Sequence, residues 1–161
     1  MNNDLNFEFI TSVVEEYADM IVRIAFNYTR NMFDAEDIAQ SVFLSLLSAP
    51  YFKDKTHLKA WLIRTAINKA KDLLKSARKK RTLPLEAAEK YFAPETISVL
   101  DEIEKLQNKD RTIVYLFYFE GYKAKEIGNI LNLKERAVLV RLKRARDKLK
   151  ILLEKSYGEK Q

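Results

Sequence analysis

Glycine and proline, the residues that interrupt helices, occur only three times each in the 161 residues of this chain. Between these breaks, apolar residues recur every three or four positions, which is the spacing of a helix with one buried face. Val13, Val14, Tyr17, Met20, Ile21, Ile24, Ala25 and Tyr28 predict a helix over roughly 7–30. Asp34 is the expected N-cap of a second helix, with Asp37 three residues on, where a capping box prefers Glu or Gln. That helix, within "AEDIAQSVFLSLLS", is expected to bury Ile38, Val42, Phe43, Leu46 and Leu47 before Pro50 stops it. "YFKDKT" reads as a loop, and a long helix follows from about His57 to Lys80. Pro84 and Pro94 bracket an acidic stretch without periodicity, which predicts a linker over 83–95. Four shorter helices follow, over about 96–107, 110–120, 123–131 and 134–155. Gly121 and Asn132 stand at two of the breaks, where a left-handed residue ends a helix.

Composition narrows the class. Hydrophobic residues make up 47% of the chain, enough for a buried core. Cysteine is absent, which excludes a disulfide framework and a thiolate metal site. His57 is the single histidine, so a histidine metal centre is not expected. Neither a basic-then-apolar leader nor an apolar run of membrane-spanning length is present, and the expectation is a soluble cytoplasmic protein without metal or cofactor. Charge is segregated. Net charge is −4 over residues 1–60, +7 over 61–82, −5 over 83–104 and +8 over 105–161. Two basic blocks separated by an acidic one imply two surfaces for a polyanion, set against the plainer reading of solvated helix faces.

On the helix after His57, Ile63, Ala66, Ile67, Ala70, Leu73, Leu74 and Ala77 share one face. The opposite face carries Trp61, Arg64, Thr65, Asn68, Lys71, Asp72 and Lys75 and continues into Arg78–Arg81. That last cluster also suits the negative end of a helix dipole. Trp61 lies off the apolar stripe. Either it packs against Tyr51 or Phe52, or it offers a platform on which an exposed base stacks beside Arg64 and Asn68; the two readings are compatible.

"YKAKEIGNILNLKERAVLVRLKRARDKL" fits two short helices joined by a tight turn. Gly128 is small, as a close crossing demands, and Asn132 suits a turn residue with positive φ. Ile127, Leu131, Leu133, Val138 and Leu142 supply the apolar contacts between the helices. On the second helix Val138, Leu142, Ala145, Leu149 and Leu152 form the core stripe. Opposite lies Val140, flanked by Arg136, Lys143, Arg144 and Asp147, with Leu139 on a shoulder near Arg146.

The order "AEDIAQSVFL", then "WLIRTAINKAKDLLK", then "LFYFEGYKAKEIGNILNL…VRLKRARDKLK", over about residues 10–155, resembles the extracytoplasmic-function sigma factors of bacterial RNA polymerase. The resemblance implies an all-α protein of two small helical domains joined by a flexible linker: region 2 over 1–82, the linker over 83–95, and region 4 over 96–161. It implies docking of core polymerase, through its β′ clamp helices, on Asp34, Glu36, Asp37, Gln40 and Ser41. The family commonly has an acid where Ser41 stands. It implies recognition and opening of the −10 element by Lys53, Lys55, Trp61, Arg64, Asn68, Lys71, Asp72, Lys75 and Arg78. Lys75 stands where arginine is common, which keeps the charge but not the two-pronged guanidinium. It implies −35 reading in the major groove by Lys134, Arg136, Leu139, Val140, Arg141, Lys143 and Arg144, in a domain that also touches the β flap. Lys123 and Lys134 replace small hydroxyl residues at the two helix starts, and Ala137, Leu139 and Val140 are less polar than is usual there. An anti-sigma factor is the expected regulator.

Two other readings stay open at this level: a stand-alone helix-turn-helix regulator, and a sigma-like interaction protein with weakened DNA reading. The "AEDIAQ" and Trp61 helices speak against the first, because an effector domain needs neither. The apolar Val140 face favours the second. Catalysis is not expected, since there is no Gly-rich phosphate loop, no thiol and no nucleophile-and-base motif. On a basic helix, Val140 or Leu139 has one natural target in the major groove, the thymine methyl.

Overall fold

The computed structural model describes residues 3–76 and 88–158. The helix expected as far as Lys80 therefore passes outside the described residues at 77, as do Ala77, Arg78–Arg81 and the linker positions up to 87. The chain divides into two compact units, residues 1–91 and 92–161. No helix among the described residues is long and apolar enough to cross a membrane.

Among the described residues the first unit packs three α-helices together. Helix α1 spans Asn3–Thr29 and places Val13, Tyr17, Ile21, Ile24 and Ala25 in the core. It ends at Arg30, whose φ of 52° no regular helix accepts. The Arg30 guanidinium lies 5.2 Å from the centre of the Phe26 ring. Asn31 is extended, and its side-chain oxygen accepts the Asp34 N–H at 3.1 Å. Helix α2, Met32–Ser45, is thus capped three residues before the expected Asp34. Asn31 already has the non-helical backbone and the short acceptor that a cap needs, and Asp34 instead places its charge at the positive end of the helix.

One 3₁₀ turn, Leu46–Ser48, follows α2, and Ala49 is extended before Pro50. The tighter winding alters which side of the helix each residue faces. Leu46 is buried, but Leu47, expected in the core, is 66% exposed. Helix α3, Lys55–Ser76, starts two residues before the expected His57 because the Asp54 carboxylate accepts the His57 N–H at 2.8 Å. Lys55 and Thr56 belong to its first turn, not to the loop. Leu58, Leu62, Ile63, Ala66, Ile67 and Ala70 face α1 and α2 and are buried; Leu73 and Leu74 are half-buried.

The second unit begins with helix α4, Pro94–Ile103, whose proline sits in the first turn. There the missing N–H costs nothing and the fixed φ is already helical, so Pro94 and Glu95 open a helix where a linker was expected. Helix α5, Asn108–Tyr118, is enclosed: every residue from Asp110 to Leu116 is buried. Gly121, at φ 73°, turns the chain into α6, Ala124–Leu131. Lys123 has no side-chain acceptor to cap α6, but the Glu126 carboxylate accepts the Lys123 N–H at 3.1 Å. Asn132 takes the left-handed conformation (φ 57°, ψ 47°) before α7, Glu135–Gly158. The N–H groups of Asn132 and Leu133 both turn back to the Gly128 carbonyl, the latter at 2.8 Å. A β-carbon on Gly128 would stand 2.6 Å from the Leu133 carbonyl oxygen. Backbone cannot yield as a flexible side chain can, so Gly128→Ala is expected to destabilise the second unit by about 1–3 kcal/mol. Denaturant unfolding followed by far-UV circular dichroism should show the loss. Fluorescence of Trp61, in the first unit, should not.

Candidate nucleic-acid interface

Two cationic surfaces emerge, one on each unit. On α3, Trp61, Arg64, Asn68, Lys71 and Lys75 follow one another at intervals of three or four residues and form a strip on the side away from the core. The fourteen steps from Trp61 to Lys75 correspond to about 21 Å of helix. Asn68 and Lys75 are exposed; Arg64 and Lys71 are half-buried, with their stems along the helix surface.

Trp61 is held, not loose. The Phe52 ring meets it edge to face, centroids 5.4 Å apart, and meets His57 the same way at 5.5 Å. His57 Nδ1 accepts the Lys53 N–H at 3.1 Å, so the single histidine pins the loop that carries Phe52. Phe52, not the 89% exposed Tyr51, is the packing partner. Trp61 stays half-exposed at the head of the strip, so its packing on Phe52 leaves part of the ring open. Lys53 and Lys55 are exposed nearby; Lys55 Nζ lies 3.8 Å from the Glu16 carboxylate, a pairing too exposed to fix it.

On α2, Glu36, Asp37 and Gln40 are exposed, and Asp34 and Ser41 are half-buried. Asp34, Asp37 and Ser41 line a shallow groove with Lys69, Asp72 and Ser76 of α3. Asp72 therefore borders the acidic α2 side while standing next to Asn68 and Lys75 of the strip, at spacings of four and three residues. Lys69, which the sequence reading passed over, lines the same groove. Tyr91 is a second omission: its hydroxyl donates to Glu36 Oε1 at 3.4 Å, and burial, followed by the Glu36 charge, pushes the phenol above its ordinary pKa. Nothing local marks Tyr91, because 55 residues separate it from Glu36.

Lys134, just before α7, and Arg136, Lys143 and Arg144 on it are exposed around Leu139 and Val140, themselves 50% and 57% exposed. Val138, Leu142 and Ala145 are buried on the other side; Leu149 and Leu152 are half-buried. Arg141 departs from its expected place. Its Nη1 donates to Asp110 Oδ1 at 3.2 Å, and the side chain is 26% exposed. Asp110, on α5, was not among the candidate residues. An ion pair spanning 31 residues leaves no periodic signal.

Residues 13–80 match the family model for sigma-70 region 2, and residues 96–149 the model for sigma-70 region 4. RNA polymerase sigma factor SigV of Bacillus subtilis is 27% identical over 152 residues, spanning 91% of this chain and 92% of SigV. RNA polymerase sigma factor CarQ of Myxococcus xanthus is 31% identical over 134 residues, spanning 77% of each chain. The fold is similar to that of CnrH, solved in complex with the cytosolic domain of CnrY, with a TM-score of 0.66, 25% identity, and 90% and 87% of the two chains covered.

The Phe52–Trp61 contact makes a prediction of its own. Phe52→Ala should shift the Trp61 emission to longer wavelength and cost the first unit at least the ring-pair energy of about 0.5–1.5 kcal/mol. Unchanged emission would mean that the Trp61 environment does not depend on that ring.

Proposed function

The chain belongs to the extracytoplasmic-function sigma factors of bacterial RNA polymerase, directing promoter recognition at the start of transcription, and we propose a division of that work between its two surfaces. The first unit, residues 1–91, takes core polymerase and the −10 element, and the second, residues 92–161, reads the −35 element. The chemistry of RNA synthesis stays with the polymerase.

The observation that carries this reading is the strip on α3. A half-exposed tryptophan followed by Arg64, Asn68, Lys71 and Lys75 supplies what an opened strand offers a use for: a stacking ring, cations for phosphates and an amide for a base edge. A stand-alone regulator has no need of it. The exposed Glu36, Asp37 and Gln40 of α2 are the proposed polymerase contacts, with Asp34 and Ser41 at their edge. Lys53 and Lys55 add charge near Trp61. Lys134, just before α7, and Arg136, Lys143 and Arg144 on it take phosphates or guanine edges, and Val140 with Leu139 meets a thymine methyl. CnrH is seen with the cytosolic domain of CnrY, and a protein regulator that occupies this chain when transcription is off is part of the proposal.

Run-off transcription with core polymerase on genomic fragments tests the whole reading; promoter-specific transcripts are expected. Absence of both transcripts and association with core would overturn it. Lys71→Ala and Lys143→Ala should each lower promoter affinity and flatten its salt dependence by about one unit of log–log slope. Asn68→Ala should reduce promoter opening, read by permanganate reactivity of thymines, and leave binding to an isolated −35 duplex intact. Val140→Ser should weaken preference at a thymine-containing −35 position by about tenfold or less. Equal binding to every −35 variant would remove the methyl contact.

A further inference from the structure

We propose that Asp110 is a positioning residue for −35 reading: it withholds Arg141 from the DNA backbone and so fixes which cations of α7 take phosphates. The proposal rests on α7 being the DNA-reading helix. Asp110 stands outside the helix-turn-helix pair, in the first turn of α5, where the helix dipole favours a carboxylate. It is only 8% exposed. Its Oδ1 accepts a hydrogen bond from Arg141 Nη1 at 3.2 Å and lies 3.9 Å from Arg144 Nη2.

The two arginines are not equivalent. Arg144 is 62% exposed and lies at the limit of ion-pair distance; Arg141 is 26% exposed and hydrogen-bonded. They are three residues apart, along the edge of α7 between its buried and its outward face. For Arg141 to reach a phosphate, the buried carboxylate would have to give up its hydrogen-bonded cation. Stripping the partner from a charge in that position is strongly unfavourable, whereas Arg144 leaves from an exposed, longer contact at little cost. Four cations, Lys134, Arg136, Lys143 and Arg144, are therefore available to the duplex, while Arg141 braces α7 against α5. A sequence-independent contact is suppressed. The balance of binding shifts toward the base-reading centre around Val140.

The test is binding of the full chain to a −35 duplex and to a scrambled duplex across salt concentrations. Asp110→Asn keeps the shape and removes the charge. It should steepen the salt slope by about 0.9, an extra loss of about threefold in affinity between 50 and 200 mM salt, and lower the preference for the −35 duplex. In the double variant Asp110→Asn/Arg141→Gln the slope should return to the wild-type value. A single variant with unchanged slope and preference would overturn the proposal, as would a double variant that stays steep. A second measurement does not depend on the variants folding. In the wild-type chain the Arg141 Hε resonance should hold its position as −35 duplex is added, while that of Arg144 moves; an Arg141 resonance that moves with it overturns the proposal. Lys143→Ala separates the two levels. If it flattens the slope, DNA reading by α7 stands whatever Asp110 does; if it leaves the slope unchanged, that reading and this proposal fall together.

Discussion

Cations must stay in water or find a partner, so the two helices that bear the basic strips can be gripped only from behind. That constraint organises both units. Helix α3 gives Leu58, Leu62, Ile63, Ala66, Ile67 and Ala70 to the core and keeps Asn68 and Lys75 outside. Helix α7 gives Val138, Leu142 and Ala145 and keeps Arg136, Lys143 and Arg144 outside. Ala66, Ala70 and Ala145 are small and buried on the gripped side, among the larger Leu and Ile side chains.

Where the grip from behind is not enough, single polar groups complete it. The shared Gly128 carbonyl sets the turn between α6 and α7, and the Asp110–Arg141 pair ties α7 to α5. In the first unit the Asn31 side chain starts α2, and Asp54 with His57 organises the approach to α3. These are short-range devices. Each fixes where a functional side chain stands without itself belonging to the strip.

Much of this was legible in the sequence because helical periodicity is a local property. The central residues of the apolar stripes of α1, α3 and α7 are buried as expected, and the positive φ at Gly121 and Asn132 followed from residue type. The failures have separate physical causes. Leu47 was placed in the core by extending an α-helical period through a segment that winds as 3₁₀. Pro94 was read as a linker residue although a first-turn proline is a helix start. Asp34 and Asn31 competed for one cap, and the residue that follows the left-handed Arg30 took it. Asp110, Tyr91 and the turn of Arg141 away from its neighbours depend on contacts between distant segments, to which periodicity is blind.

The enclosure of α5 has a consequence for how the protein is made. Residues Asp110–Leu116 are covered by neighbours that include α6 and α7, both later in the chain. While a ribosome is still adding those helices, α5 lacks their cover. The first unit draws on α1 to α3 and lies wholly within the first 91 residues, so it can close early in synthesis. The second must wait for its last helix. During that interval the nascent chain presents a sticky apolar segment behind an already finished domain, and this is the stage at which a chaperone would find the most to hold.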